Sequence, residues 1–538
     1  MTLRLKTAIL LAAGFAWVPA LLQAGDAGES VKTEVAAIRV LTANVFDPAT
    51  PGENAWPFRL VNSIHVTTRQ DFLLRAVPIE PGARVSDEEI REAERILRRF
   101  TFLRFVQIRR IPREDGRIDL EVATRDAWTT KVGISYGGGG GESRLKVGLE
   151  ETNLFGLGKL LAVQFEHTAI GTTKRSLAYE DPRFFDSNRH LKLEYLNNSD
   201  GNGYRLEFGL PLLRGADPFG YSINADHITD ELPIYHDGKT SSRVSRHTEA
   251  IETEAIWTLH GSAIETLRAG IGFAPRSEEF ETISSNFPDQ LPRDIHRADI
   301  TLFVRRLSLR FRSEAYINRF SRIEDIPTGL DLAFYGGLSP RLLAGQENVW
   351  LFGGHLAQGF DTFNGNFGTA RLNVETRSGG SPDDRTGKID LEGIAYIRTG
   401  WPEHSIALGH IKYDAAWRLP PQDRYLLGGD TGLRGYKAHA FDGDRSLLMN
   451  FEYRVNGERE YFKLVQIGGV AFLDTGLASN DGVLDPGKWK SAIGLGLRFG
   501  IPRSAKVNIL RLDVAYPFSS DARGKRGYVV SFGSGQAF

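Results

Sequence analysis

From Lys131 to Phe538 apolar residues recur at every second position, and this alternation constrains the fold more than any other feature. In the run from 493 to 499 the odd positions are Ile493, Leu495, Leu497 and Phe499, and the even ones are Gly494, Gly496 and Arg498. Leu510, Leu512, Val514 and Tyr516 alternate with Arg511 and Asp513, and Tyr204, Leu206, Phe208 and Leu210 with Arg205, Glu207 and Gly209. A period of two puts one set of side chains on each face of a sheet. A soluble sandwich would show the same pattern. In a transmembrane barrel the apolar face meets lipid and the polar face lines a wet interior.

Composition narrows the choice. The mean hydropathy is −0.26 and 25% of residues are charged, which excludes a helical protein with several apolar spans of about 20 residues. The 538 residues include 58 glycines, above the usual share of about 7%, and small inward glycines let strands curve and loops approach closely. With 66 Lys+Arg against 67 Asp+Glu the net charge is −1, so no globally basic nucleic-acid binder is implied. The absence of cysteine rules out disulfides and thiolate metal sites.

The N-terminus has the order of a signal peptide: Arg4 and Lys6, an apolar run from Ala8 to Val18, then Leu22-Gln23-Ala24 as a small-residue cleavage site. Residues 1–24 are read as that peptide, and 25–57, with Pro48, Pro51, Gly52 and Pro57, as a linker or extension. A small α/β domain is expected over 58–130. Phe58 to Thr67 reads as a strand, Thr68 to Ala76 as a helix, and Ser86-Asp87-Glu88-Glu89 as a capping box opening a second helix with Ile90, Ala93, Leu97 and Phe100 on its apolar stripe. Two strands follow, Val106 to Arg110 and Ile118 to Ala123. Arg91, Arg95, Arg98 and Arg99 read as a solvated helical face.

The remaining 131–538 are expected to form the barrel. Sixteen strands would give each strand and its connection roughly 25 residues, against about 9–11 for a crossing. Connections alternate between short ones (Asn153 to Gly158, Asn456 to Arg459) and long ones (213–248 and 419–445), which is the asymmetry of short periplasmic turns and long outer loops.

Within this frame the chain resembles the BamA/TamA family of outer-membrane proteins, also called bacterial surface antigens. Residues 58–130 look like one polypeptide-transport-associated (POTRA) domain. Glu150 to Lys159 (EETNLFGLGK) is similar to the family's early barrel hairpin, and Asp181-Pro182-Arg183-Phe184-Phe185 to its next turn. Leu427 to Tyr436 (LGGDTGLRGY) resembles the Arg-Gly-aromatic motif of the loop that folds back into the barrel, and Phe472-Leu473-Asp474-Thr475-Gly476 the strand that receives its arginine. The resemblance implies a mainly β protein: a sixteen-stranded antiparallel barrel in the bacterial outer membrane, with one POTRA domain in the periplasm. It implies insertion or translocation of unfolded outer-membrane or secreted clients through the POTRA domain and the barrel seam, in contact with outer-membrane lipid, without cofactor, metal or nucleic acid. A passive pore and a two-partner secretion translocator remain as alternatives. A single POTRA domain departs from the three or five of the named relatives.

Two sets of residues follow. Arg434, Gly435 and Tyr436 on the loop, with Glu452 and Asp474 facing inward on adjacent strands, form an expected loop lock: a guanidinium fork suits carboxylates. Val132, Ile134 and Tyr136 on the first strand, with Phe532 and Phe538 on the last, line the expected seam. Gly137 to Gly141 in that first strand read either as a weakly paired edge able to accept a client strand or as a plain glycine turn. Gly133-Ile134-Ser135-Tyr136-Gly137 matches G-x-S-x-G, but strands and glycines follow where a nucleophile elbow needs a helix, so no catalytic residue is assigned and a barrel-embedded hydrolase is the last choice.

Overall fold

The computed structural model describes residues 31–537 except 140–141, 169–171, 288–290, 344–347, 380–384, 481–483, 506–508 and 521–525. The expected signal peptide and Phe538 lie outside the described residues.

The small domain begins earlier than its sequence pattern suggested. Strand β1 (Thr33–Ala43) lies inside the segment expected to be a linker. It is central in a four-stranded sheet of order β2-β1-β4-β3, with β2 Arg84–Val85, β3 Leu103–Pro112 and β4 Ile118–Asp126, and it pairs in parallel with β4. A register shift between Val35 and Ala37 breaks its alternation, which is why the residues read as aperiodic. The stretch expected as a strand from Phe58 is instead helix α1 (Trp56–Ile64), started by Pro57 in its first turn. Helices α2 (Gln70–Ala76) and α3 (Asp87–Arg98) fall where expected. At the start of α3 the Glu89 amide donates to Ser86 Oγ (3.2 Å) and the Ser86 amide to Glu89 Oε2 (2.7 Å), so both halves of the capping box are made. Phe72, Leu73, Leu97, Phe102, Leu120 and Val122 share one buried core under the sheet.

Beyond Thr130 the chain closes into one antiparallel barrel of twenty strands, not sixteen. Fifteen of the strands precede the 418–444 connection and five follow it. The stretch 213–248 read as a long loop is mostly two strands, Phe219–His236 and Lys239–Gly261. They turn tightly at Asp237 and Gly238, both at positive φ. The second has 23 residues, roughly 75 Å at about 3.3 Å per residue. It far exceeds a membrane crossing, and its distal half is polar on both faces, so the lipid-facing pattern disappears there.

Along the strands the alternation has the expected consequence. Leu145, Val147, Leu149, Leu161, Val163, Phe165, Leu302, Ile493, Leu495 and Leu497 are exposed around the outside, while Glu452, Arg454, Asp474, Arg498 and Asp513 are buried on the inside. Apolar side chains exposed on strand after strand are the lipid-facing set that a membrane barrel requires. Among the described residues no helix is long and apolar enough to cross a membrane.

The small domain is fastened to the barrel's near rim. Asn153 Nδ2 donates to Thr68 Oγ1 (2.8 Å), and Thr68 donates its amide (2.7 Å) and hydroxyl (2.8 Å) to buried Asp126. At Gly158, with positive φ, a Cβ would come within 2.8 Å of the Phe72 ring. The early hairpin motif is therefore a docking surface for the domain. Glu92 of α3 accepts from the Gly215 amide (2.8 Å), and burial pushes its carboxyl above the usual range.

Candidate functional site in the barrel lumen

The connection from 418 to 444 enters the barrel from the far end as a short hairpin, Tyr425–Leu427 paired with Phe441–Gly443. Its tip is wound by local hydrogen bonds: Gly428 N donates to Thr431 Oγ1 (2.8 Å) and Leu433 N to the Gly428 carbonyl (2.8 Å). Gly432 sits at φ 109°, where only glycine is unstrained. Gly435 lies so near the wall that a Cβ would collide with the Ala492 side chain. Tyr436 is buried and donates toward the Ser491 carbonyl (3.1 Å).

These turns deliver Arg434, 1% exposed, onto inward carboxylates. Its Nε reaches Asp474 Oδ2 at 2.8 Å and one Nη reaches Oδ1 at 2.7 Å; the other Nη reaches Glu452 Oε1 at 2.6 Å. The guanidinium also lies 3.5 Å from the Phe472 ring centroid. Burial disfavours its charge, but Asp474 and Glu452 hold it protonated, with its pKa above the ordinary value. Arg434, Gly435, Tyr436, Glu452 and Asp474 are thus brought together in one place.

Sequence reasoning missed the rest of this cluster. Asn450 Nδ2 lies 2.7 Å from Asp474 Oδ1 and 2.7 Å from the Gly432 carbonyl. Arg454 Nε donates to Glu452 Oε2 (2.6 Å), and Arg498 donates to Asp513 Oδ1 (2.5 Å). The available signal was the alternation itself: Arg498 and Asp513 are charged residues on the inward faces of their strands, where charge without a partner is costly.

A second segment, also unforeseen, fills the near end of the lumen. The connection from 309 to 330 carries a small hairpin, Phe311–Glu314 with Glu324–Pro327. Its tip packs Ile317 against inward Tyr396, Ile406 and Leu408. Phe320 rests on the wall where glycine leaves room: a Cβ on Gly468 would come within 2.9 Å of its ring, and one on Gly500 would collide with it. Arg454 donates to the Ile317 carbonyl (3.2 Å), and Arg322 donates to the carbonyls of Thr101 (3.1 Å) and Leu103 (2.8 Å) in the small domain. Burial pushes Arg322 down to about 10, so it stays a cation at neutral pH. Arg98 of α3 grips Asp325 bidentately (2.7 and 3.0 Å) and Arg95 lies over Phe311, so this part of the helix is a contact face rather than a solvated one. A continuous path of contacts therefore runs from the far loop, through Glu452 and Arg454, to the near segment and the small domain.

At the seam the first strand, Thr130–Gly139, pairs with its neighbour Glu142–Leu154 over ten positions. Among the described residues it meets the last strand, Val529–Ser534, at one, Phe532 opposite Gly138. Phe532 is half-buried. The side chains of Val132, Ile134 and Tyr136, with Gly140, Gly141 and Phe538, lie outside the described residues. Ser135 lies on a barrel strand followed by a second strand, so the elbow geometry is absent there.

A wide barrel, apolar outside and carrying a buried ionic cluster on an infolded loop, defines a transmembrane β-barrel with an occupied lumen. Residues 362–538, which contain the loop and its receiving strands, match the Omp85 superfamily domain, and the expected likeness to BamA/TamA proteins is borne out at that level. Among solved structures, CdiB from Escherichia coli is similar with a TM-score of 0.47 and 12% identity, over 99% of this chain and 97% of that one. BamA from Haemophilus ducreyi lacking POTRA domains 1–3 is similar with a TM-score of 0.39 and 14% identity, over 95% and 86%.

Proposed function

We propose that this chain sits in the outer membrane and hands unfolded polypeptide clients into or across it, its small domain acting as a single periplasmic POTRA domain and the barrel seam as the point of delivery. The observation that carries this reading is the contrast between lumen and wall. The lumen is occupied from both ends by the Arg434 loop and the 309–330 segment, whereas the first and last strands are held, among the described residues, by one register pair. A passive pore needs the opposite arrangement. The chemistry on offer is strand addition, with no bond made or broken, so neither catalytic residue nor cofactor enters.

The small domain supplies a docking edge. Among the described residues β3 pairs on one side only, with β4. A groove of about 470 Å³ lies along it, lined by Arg91, Arg95, Phe105 and Gln107 and closed by Phe311 and Asp325 of the lumen segment. An extended client added to β3 would touch the segment that fills the barrel.

Depletion of the protein, followed by proteomic comparison of outer-membrane and secreted fractions, tests the reading. Broad loss of outer-membrane proteins supports insertion; loss of one secreted partner supports a dedicated translocator; unchanged fractions overturn both. The seam is tested separately. Because the chain has no cysteine, the pair Gly138→Cys and Phe532→Cys introduces the only thiols. Oxidative crosslinking is expected to stop client handling and reduction to restore it. A crosslinked barrel with wild-type activity would remove the seam from the mechanism.

A further inference from the structure

Helix α1 belongs to the stretch between β1 and α2 and contributes no buried residue. Its inner side is held. The Phe58 ring packs tilted against Phe46 at 4.5 Å, and Asn62 exchanges hydrogen bonds with the Phe46 backbone (3.1 and 2.8 Å). Phe46 in turn lies under the Arg503 guanidinium at 4.6 Å. Its other side, spaced four residues apart, presents Trp56 (71% exposed), Leu60 and Ile64, with Arg59 at the margin and Val66 just beyond. A fixed helix with bare tryptophan, leucine and isoleucine on one stripe needs a cover.

Its position indicates which. Arg503, on the connection between the strands Lys490–Gly500 and Ile509–Pro517, binds Glu53 (2.7 Å) and Glu460 (2.8 Å) and donates to the Val45 carbonyl (3.3 Å). Gly52 abuts Lys463, where a Cβ would lie 3.5 Å from the lysine stem. The segment leading into α1 is thus clamped to the barrel's near rim beside the turn that carries Phe462, 87% exposed. Trp401, Phe185 and Phe155 are exposed on other turns of the same rim. Rings at this height form the aromatic girdle by which barrels meet the headgroup layer, and a Trp/Leu/Ile stripe edged by arginine is the make-up of an interfacial helix.

We propose that α1 is a membrane-interface helix: its Trp56–Leu60–Ile64 face beds in the lipid leaflet nearest the small domain, continuing the barrel's aromatic girdle and fixing the domain's height beneath the seam. The proposal rests on the barrel's being embedded in lipid. It is tested on the full chain reconstituted into phosphatidylethanolamine/phosphatidylglycerol vesicles, with single spin labels at Leu60→Cys, Ile64→Cys, Asp115→Cys in the β3–β4 turn and Leu495→Cys on the barrel wall. The expected result is high accessibility to oxygen and low accessibility to a water-soluble nickel chelate at 60, 64 and 495, with the reverse at 115. Positions 60 and 64 matching 115 while 495 stays in lipid would overturn the helix proposal alone. Position 495 matching 115 would overturn the barrel's placement and this proposal with it. As a check that needs no label on the helix, quenching of intrinsic fluorescence by brominated lipid is expected to fall in Trp56→Phe; unchanged quenching counts against the proposal.

Discussion

Replacing Arg434 with alanine is expected to free the 418–444 loop from the lumen and abolish client handling while leaving the twenty-stranded wall assembled. The wall's ladder does not depend on the loop: Arg445–Tyr461 and Val465–Ser479 pair with each other directly. The loop, by contrast, is held by the Arg434 guanidinium, by the Asn450–Gly432 and Tyr436–Ser491 hydrogen bonds and by the packing of Leu433 and Tyr436. Removing one partner from a buried ion pair costs about 3–5 kcal/mol because the other charge is left behind. Here the charge left behind is identifiable. Glu452 keeps Arg454 and Asp513 keeps Arg498, so Asp474 becomes the carboxylate without a cation, holding only Asn450 among its side-chain partners in the cluster.

That asymmetry separates two contributions. Arg434→Ala combined with Asp474→Asn removes the stranded charge, so barrel stability is expected to recover toward wild type while the loop stays released. Arg434→Lys retains charge but loses the fork onto Asp474 and the flat contact with Phe472, and is expected to fall between. Protease cleavage within 418–444 reads loop release, and thermal unfolding reads the barrel. Wild-type loop protection in Arg434→Ala would show that the loop is held by its packing alone and that the ion cluster is dispensable.

How much of this was readable in advance depended on whether a residue's partner is local or distant. The alternation of Ile493 to Phe499 displays both faces of one strand, so the barrel was legible. Arg434 was legible because Gly428, Gly432 and Gly435 mark a backbone that must turn tightly beside it, and because its motif resembles a known one. Its partners beyond Glu452 and Asp474 were not: Arg498 and Asp513 look like ordinary members of a polar face until closure of the barrel brings their strands alongside the loop. β1 was hidden by its register shift, and α1 by a short stretch whose apolar residues Val61, Ile64 and Val66 suit either period. The strand count failed where strands outrun the membrane, since beyond the lipid nothing enforces an apolar side.

The lumen segment was the least legible element, and its removal carries the other large effect. Replacing 312–326 with a short glycine-serine turn is expected to turn a closed barrel into a conducting one. Barrels of 16–18 strands already leave an aqueous channel when unfilled, so a twenty-stranded wall conducts little only if something fills it. Ile317 and Phe320 do so at the near end, seated against Tyr396, Ile406, Gly468 and Gly500. The deletion also severs Arg322 and Asp325 from the small domain, so conductance should rise together with looser tethering of residues 33–126. Planar-bilayer recordings read the first effect and amide hydrogen exchange in α3 and β3 the second. Higher conductance with unchanged exchange would make the segment a stopper only. Both changing would make it the link by which a client on the β3 edge reports to the lumen. If conductance stayed at the wild-type level, the Arg434 loop alone would have to seal the barrel, and the combined deletion and Arg434→Ala variant should then conduct where neither does singly.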